Sequence, residues 1–224
     1  MSTEDFELDH VVVFSAVAAP ECAHLEALGL RGFGGVTHHG ALGSASTSFF
    51  FAADYLELIW AHDEAAAQAN FAPLGLDMVG RREWRRTGAA PFGLMLRRRG
   101  GASAPFPFPA RRLAATWMPG EVFVQFAGDD DAEPYYGLVP PELAFPSFRA
   151  NLPDPAHPLG LRRLTQVRVT TLAQRRSRLA DWLAQAGQVD VKPGPAPLLT
   201  LVFDEGAQGR TVDARPVLPL VLEF

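Results

Sequence analysis

Six histidines, one cysteine and a few strand-borne carboxylates are the side chains that could do chemistry in this 224-residue chain. His10 and Glu57 stand out because each falls inside an alternating apolar run. In Phe6–Phe14, Leu8, His10, Val12 and Phe14 share one face of an extended strand. In Tyr55–Trp60, Tyr55, Glu57 and Ile59 do the same. An imidazole and a carboxylate placed this way can face one another. One reading is a hydrogen-bonded buried pair, because buried polar groups need partners. The other is a functional pair that meets a ligand.

The remaining histidines read as bland. His38 and His39 lie in a glycine-rich loop, where solvated side chains are expected ahead of a gating or ligand role. His24 falls on an exposed helix face, and His157 sits among prolines as a structural residue. His62-Asp63-Glu64 reads as a helix start with Asp63 as N-cap. Cys22 has no base partner in the sequence, so no nucleophile is expected there. Phe49-Phe50-Phe51 puts two rings on one face and one on the other, a core pattern. There is no P-loop, GxGxxG, GxSxG or HExxH.

The elements that must position these residues follow from patterning. A strand over 6–14 leads into Pro20, suited to a first helical turn, and a helix over 21–28 stopped by Gly29. A glycine-rich loop spans 32–43, and strands follow at 46–51 and 55–60. The middle predicts strands at 92–97, 112–117, 121–126 and 135–139. Between the first two, Ala104-Pro-Phe-Pro-Phe-Pro109 excludes a helix. The last third reads as a repeat of the first. Leu164–Val169 aligns with Leu8–Val13, a helix over 173–186 stops at Gly187, and strands follow at 198–203 and 221–224. On this alignment Gln166 matches His10 and Glu223 matches Glu57, which predicts a duplicated β-α-β-β-β unit whose copies pack together.

Composition narrows the classes. Hydrophobic residues make up 48% and charged residues 20%, which is globular and not disordered. A net charge of −5 argues against wholesale nucleic-acid binding. The arginine doublets are scattered and read as solvated faces; one lysine against nineteen arginines reflects GC-rich coding. A single cysteine excludes an internal disulfide framework. No apolar run approaches the ~20 residues of a membrane span, and the acidic N-terminus lacks a signal peptide's basic region. A cytoplasmic protein with a small-molecule partner, and neither membrane nor nucleic acid, is the expectation.

Leu8-Asp-His-Val-Val-Val, the helix ending Leu25-Glu-Ala-Leu-Gly-Leu, the glycine-rich loop and Tyr55-Leu-Glu-Leu-Ile together resemble the vicinal-oxygen-chelate superfamily, in its glyoxalase-like branch. Pro134-Tyr-Tyr followed by His157-Pro-Leu-Gly is similar to the same branch. The resemblance covers 6–60 well and 134–169 moderately. It implies an α+β fold of paired βαβββ modules forming a curved mixed-sheet cup with flanking helices. Residues 1–224 would be one glyoxalase-like domain, with a first module at 6–60, a degenerate middle module at 91–140 and a last module at 161–224. Carried over, the metal positions are His10, Glu57, Gln166 and Glu223. This hard set would suit one divalent ion (Ni, Mn, Fe, Mg or Zn). Gln166 in place of a second histidine argues against a ring-cleaving dioxygenase. The implied activity is a metal-assisted lyase or isomerase on a small oxygenated metabolite, with Glu57 or Glu223 as the catalytic base.

An alternative stays open. If the middle module closes the cup with the first, the partner positions fall near Leu94 and Tyr136, leaving only His10 and Glu57 as ligands. A pocket lined by Phe49, Phe51, Tyr135 and Tyr136 would then bind a small aromatic compound without metal, as a sequestering protein does. A homodimer fits either reading, because such modules also pair between chains.

Overall fold

In the computed structural model, which describes residues 2–118, 120–128, 130–152 and 156–224, the chain builds two mixed sheets. The N-terminal unit comprises β1 (Phe6–Phe14), α1 (Glu21–Ala27), β2 (Thr37–His38), β3 (Ser44–Phe50) and β4 (Tyr55–Ala61). An insertion follows, carrying α2 (Glu64–Phe71), α3 (Met78–Arg82) and α4 (Trp84–Thr87). The middle unit is β5 (Phe92–Arg98), β6 (Arg111–Leu113), β7 (Val124–Ala127) and β8 (Tyr135–Leu138), followed by α5 (Phe145–Arg149). The last third holds β9 (Leu164–Thr171), α6 (Arg178–Gln185), β10 (Val189–Pro193), β11 (Leu198–Phe203), β12 (Thr211–Asp213) and β13 (Leu220–Glu223).

The first two units form one eight-stranded sheet in the order β2-β3-β4-β1-β5-β8-β7-β6, curled into a half-barrel. This order repeats itself about the β1/β5 seam. β1 is parallel to β4 and β5 is parallel to β8, while β1 and β5 pair antiparallel. The middle strands are therefore a second copy of the first four-stranded unit. The proline-rich link between β5 and β6 carries no helix, as its missing N–H donors require.

The last third departs from the expected repeat. Its sheet runs β10-β9-β11-β13-β12. α6 returns the chain to β10, which pairs parallel with β9, the usual crossover geometry. The other edge of β9 is taken by antiparallel β11, so β13 pairs with β11 instead. In the first unit the last strand, β4, lies directly beside β1. Glu223 and Glu57 thus occupy different places in their sheets.

The two sheets face each other across the main core. Val11 and Val13 of β1, Leu56 and Leu58 of β4, and Phe92, Leu94 and Leu96 of β5 meet Val167, Val169, Leu199, Leu201, Leu220 and Leu222. α6 adds Leu179, Trp182 and Leu183, and Trp182 meets Phe6 edge-on at 5.4 Å. Each such side chain stabilises by about 1.5–3 kcal/mol on burial. The other face of the eight-stranded sheet is concave and carries a second cluster, closed over by Phe71, Leu74, Leu76 and Met78 of the insertion. Asp63 caps α2, its side chain accepting from Ala66 N–H at 3.0 Å. Among the described residues, no helix is long and apolar enough to cross a membrane.

Candidate functional site

A β-bulge sets the site. β1 pairs with β5 in register from Phe6 to Leu8, shifts, and resumes at His10. The extra residue turns Leu8 away from His10. Leu8 joins the main core with Val11 and Val13, whereas Val12 and Phe14 line the concave side with His10. Strict alternation over 6–14 would have kept Leu8 and His10 together. The bulge also buries Asp9 completely. One Asp9 carboxylate oxygen accepts from the Phe145 N–H at 2.9 Å and from Arg97 Nη1 at 3.3 Å. The other lies 2.7 Å from His10 Nδ1. A carboxylate already held by a guanidinium and an amide is an acceptor, so Nδ1 of His10 carries the proton donated to it. In the neutral ring the Nε2 lone pair then faces the cup.

Glu57 comes from β4, and its Oε2 lies 3.7 Å from His10 Nε2. Tyr55 stacks on the His10 ring at 4.2 Å with 19° between planes. His39, reached through the glycine-rich loop, joins from the rim. Its Nδ1 is 2.9 Å from Ser44 Oγ and its Nε2 3.4 Å from Ser46 Oγ. Burial lowers the His39 pKa, partly offset by the Glu57 charge. Burial first, and then Glu57, pushes the Tyr55 and Tyr135 hydroxyls upward, which keeps both neutral. The cavity between these groups has a volume of about 170 Å³. Its remaining walls are apolar, among them Met78, Met95, Trp117, Met118 and Phe126. A space below the ~300 Å³ of drug-sized pockets suits a single ring or a short chain.

The two halves of the cup differ in chemistry. His10 pairs with Tyr55 and Val12 with Glu57; in the second copy Gly93 pairs with Tyr135 and Met95 with Gly137. Matching the two tyrosines makes Gly93 the counterpart of His10 and Gly137 the counterpart of Glu57. The space those side chains would fill is occupied by the Tyr135 ring and the Met95 thioether, which an added Cβ at either glycine would overlap.

The sequence-predicted residues divide accordingly. His10, Glu57 and Tyr135 line one cavity. Gln166 and Glu223 lie on the other sheet, and the Glu223 carboxylate pairs with Arg168 at 2.5 Å. Val167 and Val169 point into the core, so alternation turns Gln166 and Arg168 outward. Phe49, Phe51 and Tyr136 also leave the predicted pocket. They are fully buried in the main core, with the Tyr136 hydroxyl donating to Glu133 at 3.1 Å. The partner positions are not Leu94 and Tyr136, which face that core, but their neighbours Gly93 and Gly137. A one-residue slip in strand register exchanges faces. His157 is structural, accepting from Arg31 N–H and donating to the Phe50 carbonyl, each at 2.9 Å. Asp9 and Met95 escaped sequence reasoning, and His39, expected to be a solvated loop side chain, lines the cavity instead. Only the Asp9-His10 adjacency offered a signal.

A divalent metal does not fit this donor set. A catalytic metal usually takes three protein ligands, and the cup offers His10 and Glu57 with His39 engaged by serine hydroxyls. Among the described residues no three His, Cys, Asp or Glu side chains are grouped to hold a metal.

No protein-family model and no curated protein matches the chain. Among solved structures it is similar to a hypothetical protein from Staphylococcus aureus, at 12% identity over 97% of this chain and 99% of that one, with a TM-score of 0.53. A hypothetical protein from Bacillus halodurans C-125 aligns at 14% identity over 60% of this chain and 94% of its own, with a TM-score of 0.36. Methylmalonyl-CoA epimerase from Mycobacterium tuberculosis aligns at 16% identity over 63% and 92%, with a TM-score of 0.37. The end-to-end likeness to the Staphylococcus aureus protein is one of fold.

Proposed function

We propose that this chain is a glyoxalase-like protein of the vicinal-oxygen-chelate type whose cup binds a small, largely apolar organic molecule without a resident metal. The strand order supports the family reading, since one four-stranded unit is repeated about the β1/β5 seam. The observation that carries the binding reading is the inequality of the two halves. Gly93 and Gly137 stand in the second half where His10 and Glu57 stand in the first, and Tyr135 and Met95 fill what remains. Such a cup is an apolar cavity with one convergent polar corner.

A second reading rests on Asp9. A carboxylate on Nδ1 fixes the tautomer and aims Nε2 of His10 at the cavity. His10 and Glu57 could then relay a proton on a bound carbon acid, as a lyase or isomerase needs. In that reading Glu57 is the base, because Glu223 lies on the other sheet.

The test pairs two measurements. Elemental analysis of protein purified without chelators is expected to show well below one divalent ion per chain. Titration with small aromatics such as benzyl alcohol, read by Trp117 fluorescence and thermal shift, is expected to show binding. That binding should vanish when Ile59→Trp fills the cavity. Near-stoichiometric metal that disappears in Glu57→Gln would overturn the metal-free reading. Binding that survives Ile59→Trp would place the ligand elsewhere.

A further inference from the structure

We propose that the cup selects a ligand whose head group is a protonated amine, an organic ammonium on a compact apolar body. This rests on the cup being a binding site and concerns only what its polar corner recognises. The corner consists of hydrogen-bond acceptors. Asp9 takes the Nδ1 proton of His10, so Nε2 presents a lone pair. Glu57 Oε2 stands 3.7 Å away, too far for a direct hydrogen bond. Two acceptors facing one cavity at that spacing are satisfied together by a group carrying several protons, which an ammonium is.

Charge points the same way. Glu57 is the one carboxylate among the described residues lining the cavity, and neither Lys nor Arg lines it. Its side chain is only 13% exposed, and its near neighbour His10, with the proton on Nδ1, brings it no positive charge. The two buried arginines among the described residues are committed elsewhere. Arg97 holds Glu7, Asp9 and the Ala53 carbonyl, and Arg81 holds the Ala90 and Glu133 carbonyls and Asp131. The other titratable groups facing the cavity are His39, Tyr55 and Tyr135, with His38 and His62 close to His39, their rings tilted at 45° and 5.3 Å apart. None of them neutralises Glu57 while uncharged. A nearly buried carboxylate without a cation is costly, and a cationic ligand supplies the missing partner. The walls suit the rest of such a molecule: Tyr55, Tyr135, Trp117 and Phe126 offer ring faces to an ammonium and its apolar body. A carboxylate or phosphate head would meet Glu57 with like charge.

The experiment compares benzylamine, benzyl alcohol and benzoate by calorimetry on the full chain at pH 7. Benzylamine is expected to bind at least about tenfold more tightly than benzyl alcohol, the scale of a charge-assisted hydrogen bond, with benzoate weakest. In Glu57→Gln, checked for unchanged melting, the ratio of amine to alcohol affinity should shrink to within about threefold. Equal binding of the amine and the alcohol, tighter binding of benzoate, or an amine preference that survives Glu57→Gln would each overturn the inference. If benzyl alcohol binds and is lost in Ile59→Trp while the amine shows no advantage, the ammonium head falls and the cup reading stands. If none of the three binds, both fall.

Discussion

Gly93→Ala puts the asymmetry of the cup to a direct test. Gly93 lies in central strand β5, opposite Tyr135 in register. A Cβ there would sit 2.5 Å from Tyr135 Cζ and 2.9 Å from its Cδ1, against the ~3.5–4.0 Å of a carbon–carbon contact. The ring must therefore move by about 1 Å. It has little room to do so, being packed between Phe14 and Phe126, each 5.6 Å away. Overpacking of this kind costs about 1–3 kcal/mol, and the confined ring argues for the upper half. At about 2–4 °C per kcal/mol for a chain this long, melting should fall by roughly 4–12 °C. Gly137→Ala is the internal control. Its clash is with the flexible end of Met95, so its cost should stay under about 1 kcal/mol. Thermal and urea unfolding of both variants, and of Gly93→Ala in a Tyr135→Leu background, measure the coupling. If Gly93→Ala costs the same with and without the tyrosine ring, Tyr135 does not fill that space. The account of why the second half of the cup lacks donors would then be wrong.

Three further outcomes follow from named groups. Asp54 is 3% exposed, has an oxygen without a hydrogen-bond partner, and is pushed up to about 7 by burial, against the opposing pull of Arg97. Its folded pKa lies above the unfolded one, so the unfolded chain loses this proton first. Stability should fall as pH rises from about 4 to about 7, by at most about 4 kcal/mol. Asp54→Asn should flatten that slope and be the more stable protein at pH 8; parallel urea curves across pH would refute this. Asp9→Ala leaves the Phe145 amide and His10 Nδ1 without their acceptor and takes from buried Arg97 one of its two carboxylates. It should cost about 3–5 kcal/mol in urea unfolding, and a loss under about 1 kcal/mol would show that the Asp9 network is not built as described. Gln166→Ala and Glu223→Gln sit on the second sheet and should leave cup affinity unchanged within about twofold, with stability shifts near 0.5 kcal/mol. Loss of ligand or metal binding in either would restore the four-residue site.

Much of the first unit is legible from residue pattern alone. The 55–60 alternation gave β4 and the Glu57 face, Gly29 marked the end of α1, and Asp63 marked the start of α2. The middle unit was visible as four strands without a helix, since prolines at 105, 107 and 109 forbid one. Pairing was not visible. The alignment of 164–169 with 8–13 matched local composition, and local composition cannot tell β9 that its neighbours will be β10 and β11. Leu94 and Tyr136 missed the cup by one residue each, because strand periodicity fixes alternation but not which phase faces the cavity.

The sequence by itself determined the elements, the alternation that makes a two-faced sheet, and the placing of His10 and Glu57 each within an alternating strand of the first unit. Those are consequences of local geometry, with a period of two along a strand and the conformational limits of proline and glycine. Tertiary structure alone decided which unit closes the cup, that Gln166 and Glu223 stand outside it, and that a bulge at Asp9 locks the His10 tautomer. Each depends on register between segments distant in the chain. Register is set by which apolar faces can be buried together, so it emerges only when the whole core is assembled.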